Sequence, residues 1–181
     1  VYTGTRADRK RALEDEEMRK VFGRLPELPE VTPDLRHAQN LFILMFLLRG
    51  LPFVDLAYLR KSDLRDNVIT YRRRKTGRSL SVTLAPEAMV LLRRYMDRNE
   101  SSPYLFPILS SDEGTEEAYR EYQLALRSFN QKLMLLGKLM GMEGKLSSYT
   151  ARHTWATTAY HCEIHPGIIS EAMGHSSITV T

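Results

Sequence analysis

Residues 149–157 read Tyr-Thr-Ala-Arg-His-Thr-Trp-Ala-Thr, and residues 173–181 read Met-Gly-His-Ser-Ser-Ile-Thr-Val-Thr. Ser147 or Ser148 can cap a helix over residues 149–161, because serine oxygens accept hydrogen bonds from free amides at helix starts. Residues 166–174 predict one further short helix. Arg152 and His175 lie in these two stretches, twenty-three residues apart.

Upstream, the local signals predict a mainly α-helical domain. Acidic residues 14–17 open a helix that ends at Gly23. Thr32 followed by Pro33 starts a helix whose apolar stretch ends at Leu48. Three more helices are expected over residues 52–60, 86–99 and 116–140.

Residues 68–84 have a different pattern, with alternating β-branched residues on both sides of a Lys-Thr-Gly-Arg turn at 75–78. This pattern predicts a small antiparallel β-hairpin or sheet beside the helices. Five of the seven residues 72–78 are cationic, although the net charge of the whole chain is only +4. We expect this hairpin to face double-stranded DNA, with contacts from Arg72, Arg73, Arg74 and Arg78. A solvated charged hairpin is the alternative explanation.

Size and composition indicate an ordinary globular domain of 181 residues, 43% of them hydrophobic. Cys162 is the single cysteine, which excludes an intrachain disulfide and fits a reducing cytoplasm. The longest apolar run, residues 41–48, is far shorter than the roughly 20 residues that cross a bilayer. The sequence therefore predicts a cytoplasmic protein without a membrane partner.

The two C-terminal stretches resemble the phage-integrase family of tyrosine recombinases, of the type found in mobile elements. In that family, Arg-His-Ser/Thr-aromatic-Ala-Thr holds the second active-site arginine, and Leu-Gly-His-Ser-Ser follows later. Arg152 and His175 match these positions, and Lys75 matches the catalytic lysine of the family's β-hairpin. The resemblance extends back to about Leu13.

The resemblance implies the tyrosine-recombinase catalytic-domain fold over residues 13–181, with residues 1–12 as a linker from an N-terminal DNA-binding domain. It implies site-specific DNA recombination or integration through a 3′-phosphotyrosyl intermediate. It also implies a homotetramer on DNA with exchanged C-terminal segments, in a prokaryotic cell. No cofactor is expected, because the covalent link keeps the energy of the broken bond.

The residue types suit this chemistry, because attack on a phosphodiester places negative charge on the nonbridging oxygens. The guanidinium of Arg152 can bind two such oxygens at once. By the resemblance, His175 donates a further hydrogen bond to the phosphate, and Lys75 protonates the departing 5′ oxygen.

The sequence departs from the family pattern at three places. Pro52 lies where the first active-site arginine is expected, and Arg49 is the nearest substitute, unless it only complements the helix dipole. Tyr149 replaces a histidine, and with an ordinary pKa near ~10 a phenol is a poor general base. The nucleophilic tyrosine is expected after Thr181, so this stretch alone is expected not to cleave DNA.

Two alternatives remain open. Pro52 and Tyr149 also fit a non-catalytic DNA-binding relative that keeps the fold. A metal enzyme is the other alternative, because His161, Cys162, Glu163 and His165 lie close together. No second ligand pair has zinc-like spacing, so no metal is predicted.

Overall fold

A computed structural model describes residues 12–25, 27–142 and 146–162. Helices form most of these ranges: α1 Asp15–Phe22, α2 Pro33–Leu47, α3 Phe53–Tyr58, α4 Pro86–Tyr95, α5 Glu116–Leu139 and α6 Ser148–His161. The mainly helical prediction is confirmed. In the part of the chain that is described, no helix combines the length and apolarity that crossing a bilayer requires.

Two of the helix starts follow the cap residues in the sequence. The hydroxyl of Thr32 accepts a hydrogen bond of 3.3 Å from the amide of Leu35, and Pro33 occupies the first turn of α2. At the start of α6, the amide of Ser147 donates to Oγ1 of Thr150 at 3.1 Å. These bonds satisfy polar groups that a helix end leaves without partners.

The predicted hairpin is part of a three-stranded antiparallel sheet in the order β1 Leu64–Arg65, β2 Val68–Arg72 and β3 Ser79–Thr83. Ile69 lies opposite Val82, and Tyr71 lies opposite Leu80. Strand β1 has two residues and was not predicted, because so short a stretch carries no alternation. The sheet extends the hairpin on the β2 side.

Helix α2 is central to the core and packs against α1, α4, α5 and α6. Its side chains Phe42, Leu44 and Met45 are fully buried. Helix α3 packs against α5, where the rings of Phe53 and Phe129 stack with centroids 4.9 Å apart. The turn between α2 and α3 approaches α6 at Gly50 and Arg152.

Helix α4 ends at Tyr95, four residues before the predicted end. The amide of Asp97 donates to the carbonyl of Leu105 at 2.7 Å, which is a partner outside the helix. The Asp97 carboxylate then accepts from the amide of Asn99 at 2.9 Å. This local turn replaces the last helical turn, a competition typical of aspartate.

Candidate functional site

Arg152 lies against the turn that follows α2. Its side chain is only 7% exposed, and its Nη1 donates a hydrogen bond of 2.9 Å to the carbonyl oxygen of Gly50. Gly50 has a φ of +68°, and a Cβ there would lie 2.8 Å from the Cα of Arg152. Glycine is therefore required at position 50, both by the backbone and by the approach of α6.

Arg49, the predicted substitute for the missing arginine, lies in the same turn. It is half-buried and has a φ of 60°, a left-handed conformation that costs an ordinary residue about 1–2 kcal/mol. Burial raises the pKa of the Tyr71 phenol in β2, and the positive charge of Arg49 acts in the opposite direction. The structure thus brings Arg49 to the side of the sheet, near the helix that carries Arg152.

Arg73 lies inside the protein, unlike the other arginines of the hairpin. Its side chain is 5% exposed, and its Nε donates to Oδ2 of Asp55 at 3.3 Å. Its charge alone had predicted a DNA contact, like those of its exposed neighbours. The missed signal is the alternation of β2, continued one residue past its end: Ile69, Tyr71 and Arg73 are two residues apart, and all three are buried.

Asp55, in the first turn of α3, joins this helix to the hairpin. Its second oxygen, Oδ1, accepts a hydrogen bond of 2.9 Å from the backbone amide of Arg74. Burial raises the pKa of Asp55, while the bond from Arg74 and the charge of Arg73 act in the opposite direction. Asp55 was not predicted as a site residue, although it lies three residues after Pro52.

The positive charge of Arg73 is close enough to Arg152 to affect its pKa. Burial lowers the pKa of Arg152 to about 10, and the charge of Arg73 lowers it in the same direction. Burial and Asp55 raise the pKa of Tyr71, whereas the two arginines oppose this. Arg152 stays charged at neutral pH, and an anion between the two guanidinium groups would stabilise both.

The remaining cations of the hairpin are exposed. Arg74 lies with its guanidinium carbon 3.6 Å from the ring centre of Tyr58, and its Nη1 contacts Glu113 at 2.6 Å. Glu113 also pairs with Arg60 at 2.8 Å. Arg74 therefore lies against an acidic side chain of the loop before α5. The other exposed cations are Arg72, Lys75 and Arg78.

The turn that carries Lys75 is closed by backbone hydrogen bonds. The amide of Arg73 donates to the carbonyl of Arg78 at 2.8 Å, and the amide of Gly77 donates to the carbonyl of Arg73 at 2.7 Å. Within this hairpin, Arg73 is thus buried next to the turn, and Lys75 is exposed in the turn.

Tyr149 lies beside Arg152, and both line one cavity together with Pro52. Tyr149 is 50% exposed, and its ring meets that of His153 edge-on, with centroids 4.3 Å apart. His175 lies outside the described residues, so its predicted place in the site stays a prediction.

Part of the possible metal cluster also lies outside the described residues, namely Glu163 and His165. Its other members, His161 and Cys162, are exposed at the end of α6. Among the residues that are described, no three His, Cys, Asp or Glu side chains are grouped to hold a metal ion.

Comparison with known proteins gives one family. The sequence model of the phage integrase family matches residues 13–181. The tyrosine recombinase XerA of Pyrococcus furiosus is 25% identical over 174 residues, which are 94% of this chain and 55% of that protein. The chain thus spans about half the length of this curated relative.

Solved structures show the same fold. XerH recombinase bound to its difH substrate before cleavage superposes with a TM-score of 0.63 at 19% identity, over 99% of this chain and 51% of that one. A lambda integrase dimer bound to a COC′ core site gives a TM-score of 0.60 at 18% identity, over 94% and 59%. The mainly α fold with a small antiparallel sheet is that of tyrosine-recombinase catalytic domains.

Proposed function

The chain belongs to the phage integrase family, and we propose that it performs site-specific DNA recombination or integration by cutting and rejoining DNA strands. The observation that supports this most is the buried guanidinium of Arg152, fixed on the carbonyl of Gly50 beside a turn that also carries Arg49. A guanidinium fixed before the substrate arrives stabilises transition-state charge without later reorganisation.

In the proposed reaction, the oxygen of a tyrosine attacks a DNA phosphorus, and the hydroxyl proton of this tyrosine passes to water. The bond from this oxygen to phosphorus forms, the bond from phosphorus to the 5′ oxygen breaks, and the 5′ oxygen receives a proton. A 5′ hydroxyl of another strand later reverses the step and rejoins the DNA. One phosphate ester replaces another, so the covalent intermediate keeps the energy needed for joining.

Each predicted residue has a proposed part in this step. Arg152 binds the nonbridging oxygens, and His175 donates to the same phosphate. Lys75, exposed in the hairpin turn, protonates the 5′ oxygen. Arg49 adds positive charge at the turn, and Tyr149 donates a hydrogen bond to the phosphate rather than acting as a base.

Double-stranded DNA is the proposed partner. The exposed cations Arg72 and Arg78 lie on either side of the hairpin turn and support contacts to DNA phosphates; Arg74 contributes charge from beside Glu113. We further propose residues 1–12 as a linker, residues 13–181 as the catalytic domain, and a homotetramer with exchanged C-terminal segments. The attacking tyrosine is proposed to follow Thr181.

The non-catalytic alternative is not favoured. The family match covers the stretches that hold Lys75, Arg152 and His175, and the curated relative is itself named a tyrosine recombinase. Pro52 and Tyr149, which differ from the family pattern, therefore affect details of the reaction. Pro52 affects how the phosphate is bound, and Tyr149 affects how the nucleophile loses its proton.

The test is covalent trapping by the protein extended through the proposed tyrosine. The probe is a library of duplexes with a randomised stretch and a nick. After cleavage, the nick lets the short 5′-hydroxyl fragment dissociate, so that the covalent intermediate is not rejoined. Wild type is expected to form an adduct that survives denaturing electrophoresis, and Arg152→Ala to form at least about 100-fold less. Arg94→Gln, which changes an exposed arginine of α4, is the matched control and should trap like wild type. Absence of an adduct with wild type, or equal adducts with Arg152→Ala, would refute the proposal.

A further inference from the structure

Arg73 is a buried cation that has no role in the reaction proposed above. Its side chain is 5% exposed and pairs with Asp55, whose side chain is 1% exposed. Removing a guanidinium from water is costly, and a carboxylate partner offsets the cost only in part. A buried arginine at the start of the hairpin turn therefore calls for an explanation beyond stability.

The chain brings Arg73 to Arg152 from a different element. Asp55 holds the side chain of Arg73 through one oxygen and the backbone of Arg74 through the other, so the end of β2 is fixed against α3. Arg152 is fixed on Gly50, in the turn that leads into α3. Both guanidinium groups are thus attached to one short stretch, residues 50–55, and the charge of Arg73 acts on Arg152.

Pro52, in the middle of that stretch, contributes no hydrogen-bond donor. It has neither an amide hydrogen nor a polar side chain. Arg152 already gives one of its nitrogens to Gly50, which leaves it fewer donors for a phosphate. A transition state with two charged nonbridging oxygens is held better by two guanidinium groups than by one.

The neighbouring arginines of the hairpin do not share this position. Arg72 is exposed, and Arg74 lies on Tyr58 with its guanidinium against Glu113. In the run from 72 to 74, the inward arginine is the one that the strand alternation places with Tyr71. The position of Arg73 is therefore specific to one residue and not a property of the basic run.

We propose that Arg73 is a further catalytic residue, which binds the scissile phosphate together with Arg152, and that Asp55 is its positioning residue. This inference rests on the proposed strand-cleavage function. In this proposal, Arg73 takes the role of the arginine that the family pattern has at position 52. The hairpin then supplies both a phosphate ligand, Arg73, and a proton donor, Lys75.

The test compares an ordinary phosphate with a methylphosphonate at the scissile position. In a methylphosphonate, a methyl group replaces one nonbridging oxygen and removes its negative charge. One guanidinium group is then expected to suffice for binding the linkage. On phosphate, Arg73→Ala is expected to trap at least about 100-fold less DNA than wild type, and on methylphosphonate the deficit is expected to shrink to about tenfold or less. Arg73→Lys keeps a charge for Asp55 and serves if the alanine variant does not fold. Arg94→Gln is again the control for an exposed arginine.

The outcomes separate this inference from the proposed function. Wild type that traps neither substrate refutes strand cleavage itself. Wild type that traps, with Arg73→Ala and Arg73→Lys reduced equally on both substrates, assigns Arg73 to folding and refutes the inference. Selective rescue of Arg49→Ala but not of the Arg73 variants also refutes it. The inference is supported if the trapping deficit of an Arg73 variant is much smaller on methylphosphonate than on phosphate. Asp55→Asn is then expected to show a smaller deficit with the same dependence on the substrate.

Discussion

The carbonyl oxygen of Gly50 and Nη1 of Arg152 are joined by a hydrogen bond of 2.9 Å across 102 positions of sequence. The same glycine lets the backbone of α6 come so close that a Cβ at position 50 would lie 2.8 Å from the Cα of Arg152. One residue without a side chain thus fixes both the guanidinium and the helix that carries it.

Gly50→Ala is expected to destabilise the fold by about 2 kcal/mol or more, because a strained φ and a backbone clash act together. Gly141→Ala is the matched control. Its φ of +64° is similar, but nothing lies within 4 Å of the added Cβ, so only the backbone cost of about 1 kcal/mol is expected. Urea unfolding of both variants measures the difference. Equal losses would mean that α6 shifts freely away from residue 50.

Lys75→Ala is expected to slow strand cleavage by at least about 100-fold while leaving DNA affinity nearly unchanged, because the exposed lysine donates a proton rather than holding the duplex. A substrate whose departing 5′ oxygen is replaced by sulfur gives the control. A thiolate leaves without a proton donor, since its conjugate acid has a pKa near ~8.5. Cleavage by the variant should then approach that of wild type. An equal deficit on both substrates would contradict the assignment.

Thr154→Val tests the bond between α6 and the start of the described chain. The buried Thr154 hydroxyl accepts from the amide of Leu13 at 3.0 Å and donates to the carbonyl of Thr150 at 2.7 Å. Valine leaves the Leu13 amide without this acceptor, which is expected to cost about 1–3 kcal/mol in unfolding free energy. Thr154→Ser keeps the hydroxyl and should lose less. If serine proves as destabilising as valine, packing of the methyl group is the cause instead.

Glu121→Gln should alter the pH dependence of stability. Burial alone would raise the pKa of Glu121, but hydrogen bonds from Ser111 and Ser110 outweigh it and lower the pKa to about 2. A lowered pKa stabilises the fold above the ordinary value of 4.5, and this contribution is lost as the pH falls towards 2. The difference in Tm between wild type and variant should therefore shrink over this window.

Glu117→Gln, which changes an exposed carboxylate on the same helix, is the control for that measurement. Its Tm difference from wild type should vary little over the same pH range. A Glu121→Gln difference that stays constant from neutral pH to pH 2 would show that the serine hydrogen bonds do not depend on the charge.

The helices and the hairpin were predictable because their signals are local. Thr32 and Pro33 mark the start of α2, and alternation with a Gly-containing turn marks β2 and β3. Strand β1 was not predictable in this way, since its two residues acquire a β conformation only by pairing with Val68 and Ile69. Helix α4 was predicted too long because the partner of Asp97 lies in a later loop.

The sequence motif selects Arg152, which stays a proposed site residue, but it does not reveal the side chains that hold the arginines in place. Arg152 stands out through its neighbours in sequence, whereas the partner of Arg73 is Asp55, 18 positions away. A run of cations indicates a charged surface when it is considered as a whole. The alternation of the strand distinguishes the buried Arg73 from the exposed Arg72 and Arg74. To use it, one must know which residues of β2 face the core, and the number of charges does not tell this.

The hydrogen bond from Leu13 to Thr154 also matters for protein engineering. Because it joins the beginning of the described chain to the helix that holds Arg152, a purification tag or a fused targeting module placed directly before Leu13 would pull on this helix. A spacer of several flexible residues at this junction would leave the bond between Leu13 and Thr154 undisturbed.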